Sequence, residues 1–346
     1  MSEAPLAGSG MRAQRVSPGS AGAVGAALGA RLRERDVTAA PAALNLLESS
    51  APADVEQAAA LLAEVSPAAL GGEAPAHLIG VTGPPGAGKS TLLSALLHAW
   101  RASGRTAAVL AVDPSSRRSG GSLLGDRARI EFDPSDGGTM IRSMAAEQRL
   151  GGLARASRVS ANALAAAFDV VVIETVGVGQ SETDVADVVD TVALVVQPGG
   201  GDVLQFLKSG IMEIPDVLVV TKADLGQIAM RARRDLSAAL RSLGSGGARV
   251  LGVSALPPPS GIEELLAALD EHREGLDVAE RRLHARRAGA LSDFAVEHGE
   301  RGVRALGGRR AAQALLAGQE PGLDTATLVG MLERQIGAPA EHDPAA

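Results

Sequence analysis

From residue 77 onward, short runs of β-branched and aliphatic residues alternate with longer segments whose apolar residues recur every three or four positions. The runs are Leu78–Thr82, Ala107–Asp113, Thr139–Ser143, Val170–Thr175, Thr191–Gln197, Val217–Lys222 and Arg249–Ser254. Continuous apolar runs of this length are typical of strands covered on both faces, and the segments between them are typical of crossover helices. The pattern predicts an α/β fold with a mostly parallel sheet covered by helices, which binds its ligand at the carboxyl ends of the strands.

The flanking segments have a different texture. Residues 1–40 are rich in Ser, Gly, Ala and Arg without clear periodicity, which predicts a disordered, solvated tail; a transit peptide is the less favoured interpretation. Residues 41–75 carry Leu and Ala at helical spacing and predict a helical N-terminal extension. The main domain is assigned to residues 76–278. Residues 279–346 predict a helical C-terminal extension whose short helices must pack on the core or on a second subunit.

Composition narrows the function classes. The net charge of −7 gives no basic field for nucleic acid or an anionic membrane, and with 1% aromatic residues there is no platform for stacking bases. The chain has no cysteine, and its six histidines include no H-x-x-x-H pair, so no metal cluster is recognisable. No apolar run approaches the ~20 residues that cross a bilayer. We therefore expect a soluble protein, cytoplasmic or, in a eukaryote, in the mitochondrial matrix.

A phosphate-binding motif follows the first predicted strand. Gly83-Pro84-Pro85-Gly86-Ala87-Gly88-Lys89-Ser90 fits G-x-x-x-x-G-K-[ST] in full, and a helix-patterned stretch begins at Thr91. In such a loop, glycines let backbone N–H groups turn toward the phosphates, and the helix N-terminus adds its positive end. Lys89 would reach the β- and γ-oxygens, and Ser90 would bind Mg²⁺. The motif and its context together predict a P-loop nucleotide-binding site.

A base-binding motif follows a later strand. Thr221-Lys222-Ala223-Asp224 stands where GTPases carry [NT]-K-x-D. The Asp224 carboxylate can accept from both N1–H and the 2-amino group of guanine, a pair of donors that adenine lacks, and the Lys222 stem would lie along the base. Thr221 replaces the more usual Asn. Ser254-Ala255-Leu256 matches the loop that offers a backbone N–H to guanine O6, so GTP and GDP are the predicted ligands.

Three carboxylates are candidates for holding Mg²⁺ and handling water. Asp113 and Glu174 end predicted strands, and Asp126 lies between them in a Gly-Asp-Arg sequence. Because Mg²⁺ keeps several waters and takes few protein ligands, the sequence leaves open which of the three join Ser90 as direct ligands.

The position that orients the attacking water in Ras-like enzymes lacks its glutamine. Val178 stands there, after Gly177, which we place with the nucleotide-binding residues. Intrinsic hydrolysis should therefore be slow until a partner or a rearranged loop completes the site. The candidate catalytic residues are Lys89, Asp126, Glu174, Gln180 and Lys208.

Two polar patterns near the C-terminus are interpreted as structural. Asp270 to Gly275 spells D-x-H-x-x-G, a pattern by which some B12 enzymes supply a lower cobalt ligand, but it lies in an amphipathic helix. His272 is therefore predicted to be a solvent-facing helix residue. The pairs Arg281-Arg282 and Arg286-Arg287 are interpreted as a solvated helix face.

Five further stretches match one family of P-loop proteins. They are Val112-Asp113-Pro114-Ser115-Ser116, Gly120 to Arg127, Ile141-Arg142-Ser143-Met144, Leu150-Gly151-Gly152-Leu153, and Glu174 to Glu182. Together with the motifs above, from about Leu78 to Leu276, they resemble the G3E-class GTPases of the MeaB/ArgK type. Those proteins are associated with adenosylcobalamin-dependent methylmalonyl-CoA mutase, and the human member is the methylmalonic aciduria type A protein. The chain departs from the family at Ala146 to Arg149, where an Arg-Gly pair is usual.

The resemblance implies a chaperone that gates adenosylcobalamin loading and protects or reactivates an acyl-CoA mutase, with an indirect link to the adenosyltransferase. It implies GTP, GDP and Mg²⁺ as ligands and no cobalamin bound by this chain itself. Residues 113–127 and the Glu174 loop would be nucleotide-responsive switches, and residues 199–210, with Lys208, would respond to the mutase. The C-terminal helices would hold a homodimer.

Other functions remain open. A metallochaperone GTPase of the same class would need Cys and His ligands, which this composition disfavours. A P-loop kinase or transport-linked ATPase would have no use for a guanine-binding aspartate at position 224. A nucleotide-binding scaffold without catalysis is harder to separate from a slow GTPase.

Overall fold

The computed structural model of the protein describes residues 22–113, 130–145, 155–175, 185–199, 215–242 and 247–337. Seven parallel strands form one sheet in the order β3-β2-β4-β1-β5-β6-β7. They are β1 His77–Thr82, β2 Ala107–Asp113, β3 Thr139–Ala145, β4 Val170–Thr175, β5 Thr191–Val196, β6 Val217–Val220 and β7 Arg249–Gly252. Each predicted run is a strand, and the predicted fold class is confirmed.

Helices cover both faces of the sheet. They are α1 Ala23–Arg33, α2 Ala40–Glu48, α3 Pro52–Glu64, α4 Pro67–Leu70, α5 Lys89–Ala102, α6 Arg155–Ala165, α7 Gln227–Ser242, α8 Ile262–Glu274, α9 Val278–Ala305, α10 Arg309–Ala317 and α11 Thr325–Gly337. Successive residues of a strand point to opposite faces, so β1 packs Leu78 with α2, α3 and α6, and Ile79 with α5 and α8. This double cover is why β1, β4 and β5 are buried along their whole length.

The N-terminal extension begins earlier than the sequence predicts. Residues 23–39, assigned to a tail, form α1 and a short 3-10 turn. Helix α1 packs closely on α3, because a Cβ on Gly25 would lie 1.8 Å from the Gln57 carbonyl oxygen and one on Gly29 would lie 2.6 Å from that of Leu61. The glycines that suggested a tail are the residues that allow this contact. Residues 1–21 lie outside the described part.

The described part of the C-terminal extension, up to residue 337, is helical. Its longest helix, α9, is interrupted at Gly299, whose backbone (φ 63°, ψ −172°) is non-helical. Residues on both sides of this kink pack with α10 and α11 around a small apolar cluster that includes Phe294, Val303, Leu316 and Leu332. The extension also contacts the N-terminal helices, since Ala68 N donates to Gly322 O. The short helices are thus buried against one another and against the body of the chain.

A polar network of buried and half-buried side chains lies at the amino ends of the central strands. We call the side chains of His77, Asp190, Thr191, Asp216, His272 and Arg282 the amino-edge network. Thr191 Oγ1 lies 2.7 Å from His77 Nε2 and 2.8 Å from His272 Nδ1, and His272 Nε2 lies 3.1 Å from Asp216 Oδ1. The network joins the starts of β1 and β5 to the end of α8.

The same network joins α9 to the sheet. Asp190 is fully buried and accepts from Leu78 N at 2.9 Å and from Arg282 Nε at 2.8 Å. Arg282 also donates to the carbonyl oxygens of Ala74 and Ala76. Burial tends to raise the pKa of Asp190, but the hydrogen bonds and charge of Arg282 outweigh it, and the pKa lies below its usual value.

Two interpretations from sequence are wrong here. Arg282 and Arg286 are buried rather than solvated, since Arg286 pairs with Glu73 and donates to the Pro321 carbonyl oxygen. His272 is half-buried and hydrogen-bonded rather than solvent-facing. Their partners lie far away in sequence, so helical periodicity alone could not reveal them. Among the described helices, none is both long enough and apolar enough to cross a membrane.

Candidate nucleotide-binding site

The loop between β1 and α5 is shaped by three glycines. Gly83, Gly86 and Gly88 have φ values of 146°, 78° and 91°, which residues with a Cβ rarely adopt. Gly83 also lies against β5, where an added Cβ would be 2.0 Å from the Val195 carbonyl oxygen. The loop therefore needs glycine both for its turns and for its close approach to the neighbouring strand.

The Lys89 side chain crosses this loop from the first position of α5. It is buried, and its Nζ donates to the carbonyl oxygens of Gly83 at 2.7 Å and Pro84 at 3.2 Å. A buried ammonium needs such acceptors, because an unpaired charge away from water is costly. The arrangement holds a positive charge among the backbone groups of residues 83–88, where an anionic ligand of a P-loop binds.

Ser90 and Glu174 come together beside the loop. Ser90 Oγ lies 3.4 Å from Glu174 Oε1, and Glu174 is buried near the carboxyl end of β4, the strand next to β1. In the same layer, Thr175 Oγ1 donates to Thr82 Oγ1 at 3.0 Å, a buried contact that the motifs did not indicate. The backbone of Asp113 ends β2, the other neighbour of β4. A hydroxyl and a carboxylate are thus close enough to share one hard cation.

Asp126, Gly177, Gln180 and Lys208 lie outside the described residues, as does the side chain of Asp113. Their predicted roles stay predictions.

The base-binding motif is hydrogen-bonded to the P-loop. Thr221 Oγ1 donates to the Ala87 carbonyl oxygen at 2.5 Å and lies 3.2 Å from that of Val196. Lys222 has a left-handed backbone (φ 53°), and its Nζ lies 3.4 Å from the Gly86 carbonyl oxygen and 2.6 Å from Gln197 Oε1. Threonine in place of asparagine therefore still connects the two motifs.

Asp224 lies in a 3-10 turn directly after Lys222, with its side chain exposed. Its Oδ1 accepts a hydrogen bond from Ser254 Oγ at 2.8 Å. The segment carrying Ser254 is fixed in turn, because Ser254 and Ser260 exchange two backbone hydrogen bonds. The predicted base-recognition residues of two separate loops are thus neighbours in the fold.

A cavity connects these elements. Its lining residues are Gly88, Thr91, Leu92, Thr221, Lys222, Asp224, Leu225, Val253, Ala255 and Leu256. The structure therefore brings the end of the P-loop, the Thr221-to-Asp224 motif and the Ala255-Leu256 loop around one space. Sequence reasoning missed Leu92, Leu225 and Val253 in the lining and Gln197 beside it; only Gln197 gave a signal, as a polar residue at the end of an apolar strand.

One possible metal group lies away from this edge. Ligand atoms of Glu297, His298 and Glu333 are within 4.8 Å of one another; Glu297 is exposed and the other two residues are half-buried. The sequence did not indicate this group, because Glu333 comes from a different helix. It has no contact with the nucleotide cavity among the described residues.

Comparison with known proteins assigns the chain to a family. The profile described as Methylmalonyl Co-A mutase-associated GTPase MeaB matches residues 39–298. The chain belongs to the MeaB family. As expected of a MeaB-family protein, it is a P-loop GTPase, and the predicted resemblance is confirmed. The match ends at the residue before the Gly299 kink.

Individual relatives agree with this assignment. A protein named as a GTPase from Pyrococcus abyssi is 41% identical over 264 residues, which is 74% of this chain and 78% of the relative. The mouse methylmalonic aciduria type A homolog, named as mitochondrial, is 45% identical over 157 residues, or 45% of this chain and 38% of that protein. A solved structure titled LAO/AO transport system kinase has a TM-score of 0.63 at 30% identity and covers 91% of this chain and 98% of its own.

Proposed function

We propose that this MeaB-family GTPase uses GTP and Mg²⁺ to gate adenosylcobalamin loading into a B12-dependent acyl-CoA mutase and to protect or reactivate that mutase. The observation that carries the nucleotide part is the position of Asp224, held by Ser254 beside the end of the P-loop. The family description and the name of the mouse relative support the mutase part. The partner would be a methylmalonyl-CoA mutase or a close relative, with the adenosyltransferase involved only indirectly.

Guanine recognition follows from the charge at Asp224. An exposed carboxylate can accept from N1–H and the 2-amino group of guanine, whereas adenine offers no such pair of donors. Ser254 keeps one carboxylate oxygen fixed, so less freedom is lost when the base binds. The Lys222 stem provides an apolar wall, as long charged side chains often do.

The phosphate end combines a fixed cation with oxygen ligands. Lys89 would move its donors from the carbonyl oxygens of Gly83 and Pro84 to the β- and γ-oxygens of the nucleotide. Ser90 and Glu174 fit Mg²⁺, which prefers hydroxyl, carboxylate and water oxygens. A bound Mg²⁺ would neutralise charge that develops on the phosphoryl oxygens. Asp113 and Asp126 are the further candidate ligands.

Slow intrinsic hydrolysis suits a timing function. Because Val178 occupies the usual glutamine position, we infer that the mutase or a loop movement completes the site, with Gln180 and Lys208 as candidates. We also infer a homodimer in which the C-terminal helices take part. Cobalamin binding is assigned to the mutase and not to this chain.

Calorimetry tests the nucleotide assignment. With Mg²⁺ present, GDP and GTP should bind at least about 100-fold more tightly than ADP and ATP, because two hydrogen bonds to a charged group contribute about 1.5 kcal/mol each. Equal affinities, or a preference for ATP, would support the kinase or ATPase alternative and refute this proposal.

A pull-down from native lysate tests the partner. The tagged chain, loaded with a non-hydrolysable GTP analogue, should recover an adenosylcobalamin-dependent mutase, and the Lys89→Ala chain should recover less. The recovered mutase should then raise the GTP hydrolysis rate of the wild-type chain. Recovery of a metalloenzyme maturation complex without a mutase would favour the metallochaperone alternative.

A further inference from the structure

Gln197 is the first residue after β5 and lies next to the base-binding motif. Strands β5 and β6 pair in parallel with Val196 opposite Val220, so Gln197 follows one strand where Thr221 and Lys222 follow the other. Its side-chain Oε1 accepts a hydrogen bond from Lys222 Nζ at 2.6 Å. No motif identified in the sequence includes this glutamine.

Lys222 needs such a partner to hold one position. Its side chain is exposed, and the bonds of the long lysine stem lose much rotational freedom when the side chain is fixed. The second acceptor within reach of its ammonium, the Gly86 carbonyl oxygen, is 3.4 Å away, at the limit of a hydrogen bond. Gln197 therefore provides the shorter and better of the two contacts.

The chain around Gln197 fixes where its amide can reach. Pro198 is buried, and Gly199 has a left-handed φ of 79°, so the backbone turns immediately after Gln197. An added Cβ at Gly199 would lie 3.7 Å from Ile228 of α7, which places this turn against the helix that follows the base-binding motif. The amide is thus presented by a strand end and a tight turn rather than by a free loop.

We propose that Gln197 is a positioning residue for guanine-nucleotide binding, acting by holding the Lys222 ammonium so that the lysine stem lies along the base. This inference rests on the proposed base site. It predicts an effect on absolute affinity for purine nucleotides, because the stem contacts the base face. It predicts no effect on the choice between GDP and IDP, because that choice depends on the 2-amino group that Asp224 would accept from.

A double-mutant cycle tests the proposal with the full chain. GDP and IDP dissociation constants are measured for wild type, Gln197→Ala, Lys222→Ala and the double variant. Gln197→Ala should weaken GDP binding about tenfold, the equivalent of one charge-assisted hydrogen bond, with the GDP-to-IDP ratio unchanged. In the Lys222→Ala background, the same substitution should change affinity less than about twofold, since the residue it acts through is gone.

Gln197→Glu is the matched control. A carboxylate keeps an acceptor for the Lys222 ammonium and adds an opposite charge. This variant should therefore retain at least about one third of the wild-type affinity for GDP. The melting temperature of each nucleotide-free variant separates positioning from folding. A purely structural tie between β5 and β6 would lower the melting temperature in Gln197→Ala and weaken GDP binding equally in both backgrounds.

Three results would overturn the inference: unchanged GDP affinity in Gln197→Ala, additive losses in the double variant, or no rescue by Gln197→Glu. If wild type binds GDP and ADP equally, the base-site assignment fails and this inference fails with it. If wild type prefers GDP and Gln197→Ala behaves as wild type, only the inference about Gln197 fails.

Discussion

At the carboxyl edge of the sheet, polar side chains surround an open space, whereas at the amino edge they are paired with one another and buried. The carboxyl edge has glycine-rich backbone at residues 83–88, an exposed Asp224 and a cavity. The amino edge has Asp190 with Arg282, and Thr191 between two histidines. The difference separates two uses of polar residues: the first set is available to a ligand, and the second joins the helices to the sheet.

Lys89→Ala should abolish GTP turnover at the carboxyl edge without changing the stability that the amino edge provides. Because this ammonium would stabilise charge on the transferred phosphoryl group, GTP turnover should fall at least about a thousandfold, or about 4 kcal/mol. Single-turnover hydrolysis measures the function of the carboxyl edge, and the melting temperature of the nucleotide-free protein measures the stability to which the amino edge contributes. Hydrolysis at the wild-type rate would mean that the phosphate site lies elsewhere.

Arg282→Ala should lower stability and leave nucleotide binding unchanged. It leaves the buried Asp190 carboxylate without its charged partner, which should lower the free energy of unfolding by about 3–4 kcal/mol in urea titrations. Arg281→Ala is the neighbouring control: that side chain is partly exposed, donates to the Val189 carbonyl oxygen and lies 3.7 Å from Asp216 Oδ2, so its loss should cost about 1 kcal/mol. Folded Arg282→Ala protein should bind GDP normally. Equal losses in the two variants would contradict the assigned difference.

Asp224→Asn should change selectivity rather than stability. Loss of charge-assisted hydrogen bonds should cost about 1.5–3 kcal/mol of GDP binding free energy. The affinity for XDP should rise, because the 2-oxo group of xanthine can accept a hydrogen bond from the Asn amide. Ser254→Ala, which removes the donor to Asp224, should cost less, about 1 kcal/mol. Calorimetry with GDP and XDP measures both. Unchanged affinities for the two nucleotides would remove Asp224 from the base site.

The amino edge should also make stability depend on pH. Burial lowers the pKa of His77, and the positive charge of Arg273 adds to this effect. The nearby carboxylates of Asp270 and Asp190 act in the opposite direction but are outweighed. Thr191 is the hydrogen-bond partner of the His77 ring. Below the unfolded pKa of 6.5, the unfolded chain binds a proton that the folded chain does not, so stability falls as pH drops through this range.

The contribution of His77 should be at most about 1.4 kcal/mol per pH unit below pH 6.5. His77→Gln keeps a polar group beside Thr191 but cannot titrate, so its unfolding free energy should vary less between pH 7 and pH 5. Urea titrations at several pH values measure this. Parallel curves for wild type and variant would show that His77 does not contribute.

The two edges also differ in how well sequence reasoning served them. The central strands were predictable because double cover makes them continuous apolar runs, and β2 and β4 were bounded correctly. The convergence of Lys89, Thr221, Asp224 and Ser254 was predictable because parallel strands end at one edge. Each of these motifs consists of consecutive residues in one loop, so the sequence of that loop is enough to identify it.

The amino edge was misread because its partners are set by tertiary contacts. Arg282 and Asp190 are separated by 92 positions, so an arginine pair on a charged helix gave no sign of burial. Helix α1 was missed for a related reason: Gly25 and Gly29 are poor helix formers alone, and only the close surface of α3 explains them. The roles of Asp126, Gln180 and Lys208 stay predictions.

The helices that cover the Leu78 face of the sheet have a consequence for how the protein can be divided. That face is closed by α2 and α3 from before β1 and by α6 from within the core, and the C-terminal helices rest on the same N-terminal layer. A fragment cut at residue 76 would keep every nucleotide-binding motif, yet it would expose to water the apolar surface that α2 and α3 cover, with α6 alone left on that face. The shortest version worth expressing therefore starts near Gly22, even though the chemistry begins sixty residues later.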